Sequence, residues 1–364
     1  MENGEKSIQN HGACSVSRAK HATDRDPMND RPARPGRRKT LLMLGLLLAA
    51  ALLGLASLGA LTALRAPPAL PDPVLAEPLA PPLPRPEAGL RVFHLGHSLV
   101  GRDMPMMLEQ LAAAAGLAGH DHHSQLGWGT SLREHWEPEL PINGFDAEND
   151  HPRFRPAREA LAGGAHDAVI LTEMVELRDA IRWHESPVYA PLWAAAARAG
   201  RPDMRLFLYT SWHDLEHPDG WLERLETDPQ ALWRPHLLAP VWADPAAGAL
   251  HVIPVTEVLA ELTRRLQAGE SAPGLQAPQD LFGRMPDGSP DTIHFNDQGL
   301  YLVALTHFAV LYQRDPLGLP AGLLRADGTP AEAPSAEAAA LMQRLVWEVV
   351  SQHPLTGIET EDTR

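Results

Sequence analysis

The sequence predicts an α/β domain, a doubly wound parallel five-stranded sheet with helices on both faces. Two observations carry this. From residue 89 onward, short apolar runs alternate with segments of helical period, which implies parallel strands joined by crossover helices. Within that alternation, Asp167–Thr172 reads Asp-Ala-Val-Ile-Leu-Thr, a short β-branched run typical of a strand buried on both faces.

The elements follow in order. Arg91–Leu95 reads as a buried strand and Met104–Gly116 as a helix, with Met106, Met107, Leu108 and Leu111 on its core face. Asp103 is the expected N-cap and Pro105 suits the first turn. Asp121–Leu126 is a weaker second strand, Asp167–Thr172 the third, Met204–Ser211 the fourth and Ala249–Val255 the fifth. Helices are expected over Pro187–Ala199, from the fifth strand to near Gly269, over Gln298–Arg314 and over Ser335–Gln352. Residues 133–165 and 214–248, rich in Trp, Pro and His, read as loops or small helical insertions over one edge.

The organisation before the domain is as distinct. Residues 1–40 are polar and end in a cluster of arginines and a lysine, the composition of a disordered tail. Leu41–Leu64 carries no charge over about 24 residues, roughly 36 Å as a helix, enough to cross a bilayer. The basic cluster in front of it places the N-terminus inside and the rest outside. The long n-region and long apolar stretch favour an uncleaved anchor over a signal peptide. Residues 65–88 form a proline-rich linker, with nine prolines in Ala66–Glu87, expected as an extended passive spacer reaching some 60 Å. The expected domain spans 89–353, with a C-terminal tail at 354–364.

Charge and cysteine usage exclude other classes. The net charge is −15, and because residues 1–40 carry nine Lys/Arg against five Asp/Glu, the remainder stands at −19. A nucleic-acid partner needs a basic surface and is not expected. The single cysteine, Cys14, lies outside the domain, so the domain holds neither a disulfide framework nor a thiolate metal site.

The chemistry centres on Gly96-His97-Ser98, where the first strand ends. A serine at a strand end before a helix sits where an open α/β sheet exposes a reactive side chain. Its base comes from Pro290-Asp291-Thr292-Ile293-His294, on a loop before a long helix. Asp291 can fold back onto the imidazole of His294, whose other nitrogen then faces Ser98, giving the orienter, base and nucleophile of a serine hydrolase.

On these residues the chain resembles the SGNH (GDSL-type) hydrolases over roughly 90–315. Gly96-His97-Ser98 matches the first block of that family, with His97 in place of the usual Asp. Gly129-Thr130-Ser131-Leu132 resembles the second, whose glycine lends a backbone N–H to the oxyanion hole, with Gly127 as the other candidate. Asp291 and His294 match the last. The third block normally supplies an asparagine, but this chain reads Leu171-Thr172-Glu173-Met174. The resemblance implies a flavodoxin-like sheet and an oxyanion hole built from the N–H groups of Ser98 and Gly129. It implies no cofactor, and acyl esters of an envelope or exported glycan as substrate. Transfer of the acyl group to a sugar fits the same site, and a catalytically degenerate glycan-binding module is the competing reading. Thr172, Asn143 and Asn149 are possible substitutes for the missing donor, and Glu173 is expected to order its loop or bind a substrate hydroxyl.

Other features weigh less. His120-Asp121-His122-His123 has metal-ligand chemistry, but side chains alternate along a strand and would not converge, so no metal is expected. Trp212, at the end of the fourth strand, is a candidate for the substrate pocket or for loop packing. Trp128, Trp136, Trp183 and Trp193 have the chemistry of sugar-stacking platforms, although isolated tryptophans more often pack into cores and loops.

Overall fold

The computed structural model describes residues 67–359. The N-terminal tail, Cys14 and the expected membrane segment at 41–64 lie outside the described residues. Among the described residues no helix is long and apolar enough to cross a membrane.

Five parallel strands form the sheet: β1 (Arg91–His97), β2 (Asp121–Gly127), β3 (Ala168–Leu171), β4 (Arg205–Tyr209) and β5 (His251–Ile253). Their spatial order is β2-β1-β3-β4-β5. β1 pairs with β2 on one side and β3 on the other, so the chain reverses direction across the sheet between β1 and β3. A crevice opens at such a switch point, outside the carboxyl ends of the strands. Ser98 follows β1 there.

Alternation along the strands divides the core. Val92, Ile170, Phe207 and Tyr209 face a layer built from α1 (Asp103–Ala114), with later helices to be placed below. Phe93, Leu95, Val169, Leu171, Leu206 and Leu208 face the other layer. That second layer holds the short helix α2 (Leu132–Trp136) and, past α3 (Phe145–Asn149), which is tied to β2 through Asn149, the helices α4 (Ala157–Ala162), α5 (Leu177–Trp183) and the long α6 (Ser186–Gly200). Beyond α7 (Trp221–Asp228), whose Trp221 and Leu225 join the first layer, it continues through a π-helical stretch at Pro229–Leu238 and α8 (Ala239–Ala243). The expected insertions at 133–165 are thus three short helices, and much of 214–248 is one helical run. The first layer is completed by α9 (Val255–Gln267), α10 (Asp297–Tyr312) and α11 (Ala336–Gln352). α10 is buried on nearly every side, which is why its sequence is apolar all round. Asn296 caps it, its side chain accepting the N–H of Gly299 at 3.1 Å.

Four expectations are corrected. Asp103 is the first helical residue of α1 rather than its cap, and its Oδ1 accepts the N–H of Ala326 at 2.8 Å. Asp291 and His294 lie not on a loop but on β7 (Pro290–Phe295), paired antiparallel with β6 (Phe282–Arg284). Residues 68–87 are no free spacer. Leu70, Val74 and Leu83 pack on the core, the N–H of Val74 and Leu83 donate to Pro235 and Gly357, and Leu250 N–H donates to Leu79. The tail at 354–359 is also docked, with Val252 N–H donating to Leu355 and Thr356 fully buried. Proline-rich backbone keeps its carbonyls free as acceptors, and here it covers the outer edge of β5, an edge that would otherwise pair with another chain.

Beneath β1 and β2 lies a row of buried histidines. The ring of His94 sits between those of His122 and His307, at 6.4 and 6.1 Å, and Tyr209 packs edge-on against His307 at 4.8 Å. Tyr312 accepts the N–H of Leu90 at 3.0 Å and meets Nδ1 of His120 at 2.5 Å. Burial holds His94 well below the ordinary value and pushes His97, His120, His135, His166 and His307 down to about 4. In the unfolded chain these imidazoles take up protons below about 6.5, whereas in the fold the latter five stay neutral until about 4. Their contribution to stability is therefore whole above pH 6.5 and drains away between 6.5 and 4. Glu173 works oppositely, since burial pushes its carboxyl up to about 7 and the fold retains a proton the unfolded chain has lost. Six imidazoles outweigh one carboxyl. The melting temperature is expected to fall by several degrees from pH 7 to pH 5, with a shallower fall in His94→Leu, as read by circular dichroism melts across pH.

Candidate active site

The nucleophile position is set by the end of β1. The carbonyl of His97 accepts the N–H groups of Val100 at 2.9 Å and Gly101 at 3.4 Å, closing a tight turn with Ser98 at its outer corner. Gly96 allows this turn to sit close to β3, because a Cβ there would lie 2.7 Å from the Cβ of Thr172. Two buried imidazoles brace the turn. His97 donates from Nε2 to the carbonyl of Glu173 at 2.9 Å, and His135 donates from Nε2 to the carbonyl of Gly96 at 2.8 Å. Nδ1 of His135 accepts from the Gln125 amide at 2.9 Å, and that amide's oxygen accepts the N–H of Ala157 at 2.8 Å. Neutral imidazole is required for this pattern, and burial supplies it.

The base arrives from the far end of the chain. Nε2 of His294 lies 3.0 Å from Oγ of Ser98, and its Nδ1 lies 3.0 Å from Oδ2 of Asp291. Oδ1 of Asp291 accepts the backbone N–H groups of Ile293 and His294, both at 2.9 Å. Partial burial opposes the charge on Asp291, but these two N–H groups and the imidazole outweigh it and hold the carboxyl below its ordinary value. The structure thus brings Ser98, His294 and Asp291 into one hydrogen-bonded line.

Trp212 is what holds β7 in place. Its indole is buried and stacks on Phe295, ring centres 3.8 Å apart and 12° from parallel. Its Nε1 donates to the carbonyl of Ile293 at 2.7 Å. Thr292 is tied to Asp214 at 2.6 Å through its hydroxyl and accepts the N–H of Leu215 at 2.8 Å. Of the two roles expected for Trp212, the structure supports packing and not pocket lining.

A cleft of about 570 Å³ opens over the serine, lined by His97, Ser98, Leu99, Trp128, Gly129, Glu148, Val175, Ile293 and His294. Gly129 lies on it with φ +56°, a conformation that favours glycine, and nothing stands where its Cβ would be. Among the described residues neither Ser98 N–H nor Gly129 N–H has a protein acceptor. Gly127 does not line the cleft. It is glycine because a Cβ would meet Thr130 Oγ1 at 2.2 Å and Ile142 at 2.4 Å.

None of the other candidates for a third donor lines the cleft. Thr172 is buried under Gly96. Asn149 accepts Leu126 N–H at 3.1 Å and donates to the carbonyls of Leu126 and Phe145, both at 2.8 Å. Asn143 is exposed, its carbonyl accepting Trp128 N–H at 2.7 Å, and it does not line the cleft. Glu173 is fully buried, so it binds no substrate hydroxyl. Its Oε1 accepts the N–H groups of Met174 at 2.8 Å and Leu132 at 3.2 Å, which orders the loop after β3 against α2. Val175, two residues on, occupies the cleft wall. The histidines of β2 do not converge: His120 meets Tyr312, His122 meets Glu109 at 3.1 Å and His123 meets His166 at 3.2 Å. No group of three metal-ligating side chains stands together among the described residues.

No family model matches the chain, and no curated protein matches it. Among solved structures, a carbohydrate esterase family 3 from Talaromyces cellulolyticus aligns at 16% identity over 62% of this chain and 97% of its own, with a TM-score of 0.32. A likeness that slight bears on neither family nor substrate.

The role of Glu173 is open to a direct test. Glu173→Ala leaves two buried N–H groups without acceptors, at about 1–3 kcal/mol each. Glu173→Gln retains the accepting oxygen. Thermal melts are expected to place the alanine variant well below wild type and the glutamine variant close to it; equal losses would mean that the carboxyl does not order this loop.

Proposed function

We propose that this protein is a serine esterase of SGNH type that acts on acyl esters of a glycan, with Ser98, His294 and Asp291 as its triad. The observation that carries the reading is the pair of 3.0 Å contacts, Ser98 to His294 and His294 to Asp291, at the mouth of an open cleft. In the proposed reaction Oγ of Ser98 attacks the ester carbonyl as its proton passes to Nε2 of His294. Asp291 stabilises the imidazolium and holds its tautomer. The N–H groups of Ser98 and Gly129 receive the oxyanion. Collapse expels the sugar alkoxide, which takes the proton from His294. Water, deprotonated by His294, then attacks the acyl-enzyme and frees the carboxylic acid and the serine. No step requires a cofactor.

A fluorophosphonate probe tests the nucleophile directly. Labelling of wild type, lost in both Ser98→Ala and His294→Ala, is the expected result, whereas an unlabelled folded wild type would leave a glycan-binding module as the better reading. Asp291→Asn is expected to keep its fold and to lower kcat on p-nitrophenyl acetate by about 10⁴, because an amide favours the wrong imidazole tautomer.

The proposal extends to location: one membrane pass over residues 41–64, the N-terminus in the cytoplasm and the domain outside. Support comes from the uncharged segment and the basic cluster before it. An alkaline phosphatase fusion after Glu87 is expected to be active in a bacterial host, and an inactive but stable fusion would reverse the orientation.

A further inference from the structure

The cleft contains one aromatic side chain held in a manner that packing alone does not require. Trp128 is 53% exposed yet fixed from three directions. Its backbone N–H donates to Asn143 at 2.7 Å, and its indole Nε1 donates to Oε1 of Glu148 at 2.7 Å. One face of the indole lies on Gly144, so closely that a Cβ there would stand 2.2 Å from Cδ2 of the ring. Gly144 itself has φ +67°, which suits glycine on conformational grounds as well. The other tryptophans with stacking chemistry are placed elsewhere. Trp193 is buried and packs edge-on against Trp136 at 4.9 Å, and Trp183 does not line the cleft. An exposed indole normally keeps rotamer freedom, and here that freedom is already removed before any ligand binds.

We infer that Trp128 and Glu148 form a sugar subsite beside Ser98 that selects neutral pyranoside esters over uronic acid esters. The free face of the indole offers a negative quadrupole to the axial C–H groups of a pyranose. Glu148 orients the ring through one oxygen, and its other oxygen has no protein donor among the described residues, leaving it to accept a sugar hydroxyl. That carboxylate lines the cleft alongside Trp128, Gly129 and His294. A second carboxylate, on the sugar, would meet it at close range and be repelled. The subsite rests on the esterase reading above and deepens it by naming the substrate class.

Binding to the uncleaving protein separates the two ideas. The full chain carrying Ser98→Ala is titrated by calorimetry with an acetylated methyl β-glucopyranoside and with the matching acetylated methyl β-glucuronoside. The glucoside is expected to bind at least about tenfold more tightly. Adding Trp128→Ala raises its Kd about tenfold, Trp128→Phe recovers most of that loss, and Glu148→Gln narrows the gap between the two sugars. Thermal melts of each variant identify any loss that reflects unfolding. In the otherwise wild-type chain, Trp128→Ala raises KM for the glucoside ester more than it lowers kcat. Equal affinity for both sugars, or no change in Kd on Trp128→Ala, overturns the subsite. If Ser98 takes up fluorophosphonate while Trp128 proves indifferent, the subsite alone fails. Trp128-dependent binding by a chain that does not label leaves the subsite and removes the esterase.

Discussion

The arrangement around Ser98 depends on the docking of one hairpin against the end of β4. Isolated two-stranded hairpins are marginal in water, and β6–β7 carries two of the three residues in the hydrogen-bonded line, Asp291 and His294. Trp212 secures it by stacking on Phe295 and by holding the carbonyl of Ile293, while Asp214 and Leu215 hold Thr292. The residues immediately before His294 and the one after it are thereby fixed, and the imidazole between them is directed at a serine 196 positions earlier in the chain. A reacting geometry tolerates displacements of well under an ångström before rate is lost, so a solvent-exposed base needs such an anchored backbone. The side chain of His294 is free to meet substrate because its support comes entirely from its neighbours.

On the serine side the support is polar and uncharged. His97 donates to the carbonyl of Glu173 and His135 to that of Gly96, and burial keeps both neutral near physiological pH. His97, next to the serine, is a neutral donor that finds a carbonyl two residues past the end of β3. A buried carboxylate there would need its own donors, and Glu173, immediately behind, already takes the free N–H groups of Met174 and Leu132.

The sheet and the triad were legible in the sequence because both rest on short-range patterns. A short apolar run marks β1 and a β-branched one marks β3, and Asp291 and His294 sit three residues apart. What was not legible depends on distant partners. The hairpin carrying His294 is read as a loop because its pairing strand, Phe282–Arg284, has three residues and no periodicity. The proline-rich segment is read as a spacer because composition reports chain stiffness and not the groove into which Leu70, Val74 and Leu83 fit. His97 gives no sign of its carbonyl partner, 76 residues away. The same applies to Trp212, whose position at a strand end suits a pocket and a clamp equally until Phe295 is seen beneath it. Trp128 offers the one clue of this kind, since Gly127 and Gly129 on either side indicate a backbone under close constraint.

With none of Thr172, Asn143 and Asn149 lining the cleft, the proposed oxyanion hole consists of two backbone N–H groups. One lost donor costs on the order of 10²–10³ in rate on an unspecific ester, where the hole acts almost alone. An ester presented on a sugar is different, because contacts remote from the carbonyl can restrict its orientation and raise kcat rather than affinity alone. That effect requires a binding surface that is rigid before substrate arrives. The cleft has one in the indole of Trp128, fixed by Asn143, Gly144 and Glu148. Under the proposed reading, a two-donor oxyanion hole beside a rigid indole makes the rate depend on recognition of the leaving group, so that activity on simple esters understates it.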